Sequence, residues 1–452
     1  MSASSNNAEA TIVARATPPG TGGIAVVRVS GPLARAIAAR MLGALPEARQ
    51  ATFRTFRDAA GRMLDQGIAL YFPAPHSFTG EDVLELHGHG GPVVVAGLVD
   101  AAVALGARLA EPGEFSRRAF QNDKLDLTQA EAVADLIASG SMQAARAALH
   151  SLSGAFSGAV DELKEKLVQL RSHVEAAIDF PQEEIDFLSD SALESRVEAC
   201  ANSFRQLRNN ANIGRVLRDG YRVVIVGRPN AGKSSLLNCL SGQEAAIVTE
   251  VAGTTRDILR EQINLDGLLV ELVDTAGLRE DPDRIEAEGI RRAREAMNRA
   301  DAVMWVQDAT RDQQACERPD DHLPADVPVV VVRNKADLSG DVPGLLQAEP
   351  LVVAISATTG AGIDALRSEL RRLAGYRDLG EGAFTARQRH VDALERAYRH
   401  FDTGRVALRE ARAGELFAEE LKLSQQALSE ITGAFSSDDL LGRIFSEFCI
   451  GK

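Results

Sequence analysis

The sequence predicts a multi-domain fold that combines α/β and all-α parts: an N-terminal α/β domain, a discontinuous helical domain, and a second α/β domain with a mainly parallel sheet inserted into the helical one. Three observations predict it. From 221 to about 375, short and nearly continuous apolar runs alternate with helical segments, as in a parallel sheet covered on both faces. On both sides of that stretch, from about 125 and again after Gly375, the texture turns to Ala, Leu, Glu and Gln with helical spacing. Before 124 the chain is punctuated by Gly and Pro between short apolar runs. The boundaries this gives are 1–123, 124–217, 218–375 and 376–452.

In the first domain, Ile24–Val29, Gly67–Phe72 and Val83–Leu86 read as strands and Pro92–Leu105 as a helix. In the helical part, Val160, Leu163, Leu167, Leu170, Val174 and Ile178 mark one face of an amphipathic helix, with Pro181 just past its end. The acidic run Gln182-Glu183-Glu184-Ile185-Asp186 reads as a solvated connection, followed by a further helix to about Ile213. Val223–Val226, Leu268–Val273, Val303–Val306, Val329–Val332 and Leu351–Ile355 are the strands of the inserted domain. Val391, Leu394, Tyr398, Leu416, Leu421, Leu423 and Leu428 then carry the apolar positions of the returning helices.

Bulk properties bound the rest. A 452-residue chain suits two to four domains, and 45% hydrophobic with 25% charged residues is ordinary for a globular protein. A formal charge of −14 argues against a protein coated in positive field but leaves room for a local basic patch. Arg387, Arg389, Arg396, Arg399, Arg405, Arg409 and Arg412 are the best candidates for contact with nucleic-acid phosphates, with a solvated helix face equally plausible. Cys200, Cys239, Cys316 and Cys449 show no metal-binding or disulfide spacing. With no run long enough for a membrane span and a polar Met1–Ala10 segment, a cytoplasmic location is expected. His87 and His89 lack a third ligand, so backbone turning at Gly88, Gly90 and Gly91 is the better reading of that segment.

The inserted domain carries the chemistry. Gly227-Arg228-Pro229-Asn230-Ala231-Gly232-Lys233-Ser234 has phosphate-loop spacing between an apolar strand and a helix that starts near Ser235. Backbone N–H groups there can face phosphate oxygens, Lys233 can reach the β/γ-phosphates, and Ser234 can hold Mg²⁺. Asp274-Thr275-Ala276-Gly277 follows the next strand; Asp274 can hold Mg²⁺ through water and the Gly277 N–H can sense a γ-phosphate. Asn334-Lys335-Ala336-Asp337 ends another strand, and its Asp carboxylate can accept both N–H groups that guanine offers and adenine lacks. Ser356-Ala357-Thr358 completes the base pocket, and Thr255, in Gly253-Thr254-Thr255-Arg256-Asp257, is the switch threonine expected on Mg²⁺. The set predicts a Ras-like P-loop GTPase domain.

One residue departs from the Ras-like pattern. Leu278 stands where a Gln would orient the attacking water. Glu286 is the candidate replacement, although on spacing alone a solvated switch-loop residue is the better reading. Asn230 can help hold a monovalent cation near the β/γ bridge, placing positive charge where an arginine finger would.

Asn230, the Gly253–Asp257 loop, Leu278 and Cys449-Ile450-Gly451-Lys452 together resemble the MnmE/TrmE family of bacterial tRNA-uridine-modifying GTPases. Segments along the whole chain share the resemblance. They include Thr17-Pro18-Pro19-Gly20, Ser77-Phe78-Thr79-Gly80-Glu81-Asp82, Pro112-Gly113-Glu114-Phe115, Asn122-Asp123-Lys124-Leu125-Asp126 and Asp438-Asp439-Leu440-Leu441-Gly442. The resemblance implies an N-terminal folate-binding and dimerising domain, a discontinuous helical domain and an inserted G domain. It implies K⁺-dependent GTP hydrolysis coupled to pairing of G domains across a homodimer. It implies an FAD-binding partner, in a heterotetramer or larger assembly, and tRNA as substrate. The product would carry an aminomethyl or carboxymethylaminomethyl group on C5 of the wobble uridine, built from a one-carbon tetrahydrofolate (5-formyl or 5,10-methylene).

By position, the resemblance implies K⁺ ligation by the Asn230 and Thr254 side chains and the Thr249 and Val251 carbonyls, with Glu250 and Ala252 also lining the nucleotide. It implies Mg²⁺ on Ser234 and Thr255, and hydrolysis assisted by Glu286, which reverses the preference reached on spacing. Arg28, Glu85, Lys124 and Lys452 fall at its folate-contacting positions; without the resemblance, Arg28, Glu85 and Lys124 read as surface charges. Cys449 becomes a candidate catalytic thiol, against a packed and inert cysteine. Two other readings compete: a regulatory GTPase, such as a ribosome-assembly factor, whose flanks only bind RNA, and a folate-dependent aminomethyl transferase with a vestigial G domain.

Overall fold

The computed structural model describes residues 10–179, 191–241, 260–265, 267–274, 300–311, 327–375, 382–434, 438–446, 448 and 450–451. The chain divides into two compact units, Met1–Ala134 with Gln425–Lys452, and Asp135–Ser424.

The first unit is built on a six-stranded sheet. Its strands are β1 (Ile12–Arg15), β2 (Gly22–Ser30), β3 (Thr52–Arg57), β4 (Met63–Phe72), β5 (Val83–Gly90) and β6 (Arg108–Leu109), in the order β3-β4-β5-β2-β1-β6. Every pairing is antiparallel except β1 with β6. Alternation sets one face against the helices α1 (Ala34–Leu42) and α2 (Pro92–Ala104), where Val27, Val29, Ile37, Met41, Phe56, Leu84, Leu86 and Leu98 form the core. Pro92 at the first position of α2 needs no N–H donor there, which fixes where that helix begins. Helices α3 (Glu114–Gln121) and α4 (Leu127–Ile137) follow. His87, Gly88, His89 and Gly90 lie within β5 and do not form a turn. Their glycines serve close approach instead: a Cβ on Gly90 would fall 2.5 Å from the Gly22 carbonyl oxygen.

The second unit starts with α5 (Met142–Leu152), capped by the Ser141 hydroxyl accepting from the Ala144 N–H at 3.1 Å, then α6 (Ala155–Asp179) and α7 (Ser191–Asp219). Helix α7 runs past the expected Ile213 to Asp219 and turns at Gly220 straight into β7 (Tyr221–Gly227). The inserted domain continues with α8 (Lys233–Ser241), β8 (Arg260–Leu265), β9 (Leu268–Asp274), β10 (Ala302–Asp308) and β11 (Val329–Asn334). It closes with α9 (Ala336–Ser339), β12 (Gly344–Ala348), β13 (Leu351–Ala354) and α10 (Ile363–Leu373). The seven-stranded sheet has the order β12-β13-β11-β10-β7-β9-β8. Its central strands are parallel, with β12 and β8 as antiparallel edges. Val223, Ile225, Leu272, Met304, Val330, Val332 and Val353 are fully buried in it, which explains their continuous apolar runs.

After the insertion come α11 (Gln388–Ala411), α12 (Gly414–Thr432) and α13 (Asp438–Ser446). The two helical halves close on each other within this second unit. The Ser151 hydroxyl accepts from the Thr385 N–H at 2.8 Å and donates to its carbonyl at 3.2 Å, and Phe156 stacks on Phe384 at 4.7 Å. Arg208 pairs with Glu395 at 2.6 Å and lies over the Tyr398 ring. Asp135 of α4 is buried and accepts from both Arg218, at the end of α7, and Arg387, just before α11, at 2.8 Å each. The base of the sheet is tied to α7 by Asp301, which takes Arg215 at 2.7 Å and the Arg222 N–H at 2.9 Å.

Candidate nucleotide site and N-terminal polar cluster

Strand register brings the nucleotide motifs to one edge. Val306 of β10 is level with Gly227, Ile225 of β7 with Asp274, Asp308 with Asn334, and Arg333 with Ala354. All are carboxyl ends of parallel strands, the edge where open α/β sheets bind ligands. The loop 228–232 joins β7 to α8, so the first turn of that helix starts at the motif's Lys233 and Ser234. Asn230 and Gly232 take positive φ, 64° and 92°, which folds the backbone N–H groups into a concave turn. Lys233 is buried, and its ammonium donates to the Gly227 and Arg228 carbonyls at 2.9 and 3.0 Å.

Asn334 holds this turn to the base-side loop. Its amide nitrogen donates to the Ala231 carbonyl at 2.9 Å, and its amide oxygen accepts from the Ala357 N–H at 3.0 Å. Lys335, with φ 68°, reaches the Asn230 carbonyl at 3.1 Å and Asp308 at 2.7 Å. Asp337 is exposed in the short α9, and Ser356 is buried, its hydroxyl accepting from the Thr359 N–H at 3.2 Å. Ser234 and Ser235 are exposed on α8. Thr249, Glu250, Val251, Ala252, Gly253, Thr254, Thr255, Thr275, Ala276, Gly277, Glu286, Cys449 and Lys452 lie outside the described residues; Asp274 is placed by its backbone at the end of β9.

In the first unit, Arg28 on β2 pairs with Glu85 on β5, its register partner, at 2.8 Å, and His87 meets the other Glu85 oxygen at 3.2 Å. The Arg28 guanidinium sits 5.5 Å from the Phe78 ring centre and 5.7 Å from that of Phe115. Lys124 is exposed and lies beside Gly80 of the same 78–80 loop, while Asn122 donates to the Thr79 carbonyl at 2.7 Å. The structure therefore brings Arg28 and Glu85 together and sets Lys124 beside Gly80, two residues along the chain from Phe78. Phe78 and Phe115 were missed as members of this cluster. Their only sequence signal was membership of the Ser77–Asp82 and Pro112–Phe115 segments.

A buried polar network lies next to this cluster. Glu81 accepts from the Ser30 hydroxyl at 2.6 Å and from Arg118 at 3.0 Å. Glu114 accepts from Arg108 at 2.6 Å and Arg118 at 2.9 Å. Burial by itself would raise the Glu114 carboxyl, but Arg108, the Glu111 N–H and Arg118 together hold it below the ordinary carboxylate value. The C-terminal segment docks nearby. Phe445 and Phe448 are buried with Leu127 and Ala130, and Gly451, at φ 96°, presses on Arg15 so closely that a Cβ would fall 2.1 Å from the Arg15 carbonyl oxygen. Arg15 follows Ala14, the register partner of Arg28.

Other candidates fare differently. Arg387 is buried against Asp135, Arg405 pairs with Asp402, and Arg409 pairs with Glu194 and Glu198. Those three arginines already meet carboxylates, which favours a neutralised helix face over a phosphate-binding one. Cys200 is buried, and burial pushes its thiol up to about 11, as for an inert packed cysteine. His89 is held by Asp65 at 2.7 Å. Among the described residues, no helix is long and apolar enough to cross a membrane.

A mainly parallel sheet with a phosphate loop after β7, and Asn-Lys-x-Asp at the end of β11 on the same edge, defines a P-loop guanine-nucleotide-binding protein. The flanking domains narrow the class. The "GTP-binding protein TrmE N-terminus" family model matches residues 11–124, and the "MnmE helical domain" model matches 127–449. The chain is 56% identical over 449 residues to "tRNA modification GTPase MnmE" of Yersinia pestis bv. Antiqua (strain Angola), covering 98% of this chain and 99% of that one. The same figures hold for the protein of that name from Yersinia pseudotuberculosis serotype IB (strain PB1/+). This chain belongs to the MnmE family of tRNA modification GTPases. A solved GTP-binding protein of Sulfolobus solfataricus in complex with GDP is 20% identical, with a TM-score of 0.26, covering 47% of this chain and 67% of that one.

Proposed function

We propose that this chain is a K⁺-dependent GTPase that, with an FAD-binding partner and a one-carbon tetrahydrofolate, builds an aminomethyl or carboxymethylaminomethyl group on C5 of the wobble uridine (position 34) of certain tRNAs. The observation that carries the nucleotide part is the bridge made by Asn334, which joins the phosphate loop to the Ser356–Thr358 loop. In the proposed domain order, 1–123 binds folate and dimerises, 124–217 with 376–452 forms the helical domain, and 218–375 is the G domain.

Guanine would be recognised by Asp337, with Ala357 and Thr358 at the rim, and the phosphates by the 230–235 turn. The donor set proposed for K⁺, the Asn230 amide, the Thr254 hydroxyl and the Thr249 and Val251 carbonyls, is all hard oxygen, as an alkali cation requires. Ser234 and Thr255 offer hydroxyls suited to Mg²⁺, which usually keeps water and phosphate oxygens as its other ligands. Cations in these places would neutralise charge developing on the phosphates. Glu286 would orient the attacking water in place of the Gln that Leu278 replaces.

Arg28, Glu85, Lys124 and Lys452 would hold the folate, with Arg28 and Lys124 suited to its glutamate carboxylates and Glu85 to donors of the pterin. Support comes from the Arg28–Glu85 pair beneath Phe78 and from the seat of Gly451 on Arg15, which brings the C-terminal segment to the strand beside Arg28. Cys449 would supply a thiolate to the modification. The outer face of the N-terminal sheet, where Phe53 and Ile68 are 67% and 43% exposed, suits a homodimer. The assembly would be cytoplasmic and work without a membrane.

The test uses the full chain with its flavin partner, tRNA and folate. Replacing K⁺ by Na⁺ should lower GTP turnover strongly and leave GDP affinity nearly unchanged. Glu286→Ala should slow hydrolysis without weakening nucleotide binding. Equal turnover in both salts removes the K⁺ assignment. GTP-dependent association with ribosomal subunits, without folate affinity, sinks the modification reading.

A further inference from the structure

Asp308 is a buried carboxylate at the nucleotide edge that none of the nucleotide motifs contains. It ends β10, level with Asn334 on β11. One oxygen is used locally: Oδ1 accepts from the Thr310 N–H at 3.1 Å and the Thr310 hydroxyl at 2.6 Å, closing the turn that follows the strand. The other faces across the site: Oδ2 accepts from the Lys335 ammonium at 2.7 Å. That ammonium also donates to the Asn230 carbonyl at 3.1 Å. Lys335 and Asn230 are both non-glycine residues in the left-handed region, at φ 68° and 64°. Such residues persist where their surroundings over-determine them. A single ammonium thus joins a strained residue of the base-side loop to a strained residue of the phosphate loop.

We propose that Asp308 is a positioning residue for guanine-nucleotide binding: it holds the Lys335 ammonium on the Asn230 carbonyl, so that the base-side loop and the phosphate loop are set against each other before nucleotide arrives. This rests on the reading of the site as a guanine-nucleotide site. A lysine carries large rotamer freedom, and fixing it in advance removes that cost from binding. The Lys335 side chain is only partly buried, so without Asp308 it is free to turn to water. Arg311 competes only weakly for the same oxygen; its Nε is 3.9 Å away and its side chain is largely exposed. The Lys335 and Thr310 bonds hold the Asp308 carboxyl at about 2, so it stays ionised throughout the working pH range.

The experiment measures binding of a fluorescent GDP analogue to the full chain in five forms: wild type, Asp308→Asn, Lys335→Gln, their double variant and Thr310→Val. Asp308→Asn keeps an oxygen for Thr310 and removes the charge that holds Lys335. It should weaken binding about tenfold, mainly through faster release, as expected for loss of a charge-assisted bond. In the Lys335→Gln background the same change should cost less than about twofold, because its partner is already gone. Thr310→Val, which removes only the hydroxyl bond to Oδ1 and keeps the N–H bond, should stay within about twofold of wild type. Wild-type affinity in Asp308→Asn, or an equal loss in both backgrounds, overturns the proposal. If Asp308→Asn gives no cooperative melt, Asp308→Glu enters the same cycle, with the same non-additivity expected and full additivity as the overturning result. A wild-type chain that binds no GDP analogue overturns the underlying reading instead, so the two failures are distinguishable.

Discussion

At the scale of single residues, the site is held by side chains with two partners each. Asn334 touches two loops with one amide, so a change that moves it is felt on both sides. Gly232 shows how little room there is: at φ 92°, an added Cβ would lie 2.2 Å from the Asn334 amide nitrogen. Gly232→Ala should therefore cost more than about tenfold in GDP affinity by displacing Asn334, read by equilibrium titration. Glu114 makes the same point in the N-terminal domain. Glu114→Gln leaves the buried Arg118 and the half-buried Arg108 without their shared carboxylate and should lower stability by about 3–5 kcal/mol, read by denaturant unfolding. The pH dependence of that contribution has a definite sign. The folded carboxyl lies below its ordinary value, so the stabilisation is complete above the ordinary carboxylate range and is lost as pH falls through the folded value. Acid titration of unfolding should show Glu114→Gln converging on wild type at low pH and diverging by neutral pH. The nucleotide motifs were legible because each is contiguous in sequence and its chemistry follows from spacing. Asp308 and the Phe78–Arg28 contact were not, because each partner lies tens of residues away and only strand register or a loop brings it near.

At the scale of elements, parallel strands were the easiest to read, since burial on both faces leaves no polar position to interrupt the run. Strand β3 and helix α1 carried no such signal. Thr52–Arg57 places Phe53 in solvent and Phe56 in the core, so its two aromatics mark opposite faces and no apolar run results. The length of α7 was underestimated because its last turns are arginine-rich and are satisfied by distant acids: Arg215 by Asp301 and Arg218 by Asp135. Within the second unit, the one Asp135 carboxylate joins the end of α7 to the start of α11. Asp135→Ala should cost about 3–5 kcal/mol, since it removes the carboxylate shared by two guanidiniums, one of them well buried. A melt that lowers the unfolding temperature without changing GDP affinity would place that effect in the helical frame. The arginines of α11 carry a lesson about counting charge. Composition made them a basic stripe, but carboxylates on α7 and on α11 itself take two of them, Arg409 and Arg405, which composition cannot reveal.

At the scale of the whole molecule, the outer face of the N-terminal sheet offers a direct test of self-association. Ile68 sits between Phe53 and His87 on neighbouring strands, away from the helix-covered core. Ile68→Glu should convert a dimer to a monomer by sedimentation at micromolar concentration; an unchanged sedimentation coefficient would remove that face from the interface. Finally, the inserted sheet leaves the helical domain and returns to it at one place. Helix α7 passes directly into β7 at Gly220, and at the exit Gly375 backs onto Ile213 of the same helix. Once folded, the insert thus behaves toward the helices as a very short tether, although it spans a long detour of chain. The loop-closure entropy of that detour is met by the sheet's own folding. Because the sheet is synthesised before α11, its completion sets when the second helical half can find the first. A mutation buried in the strands would then slow assembly of helices it never touches.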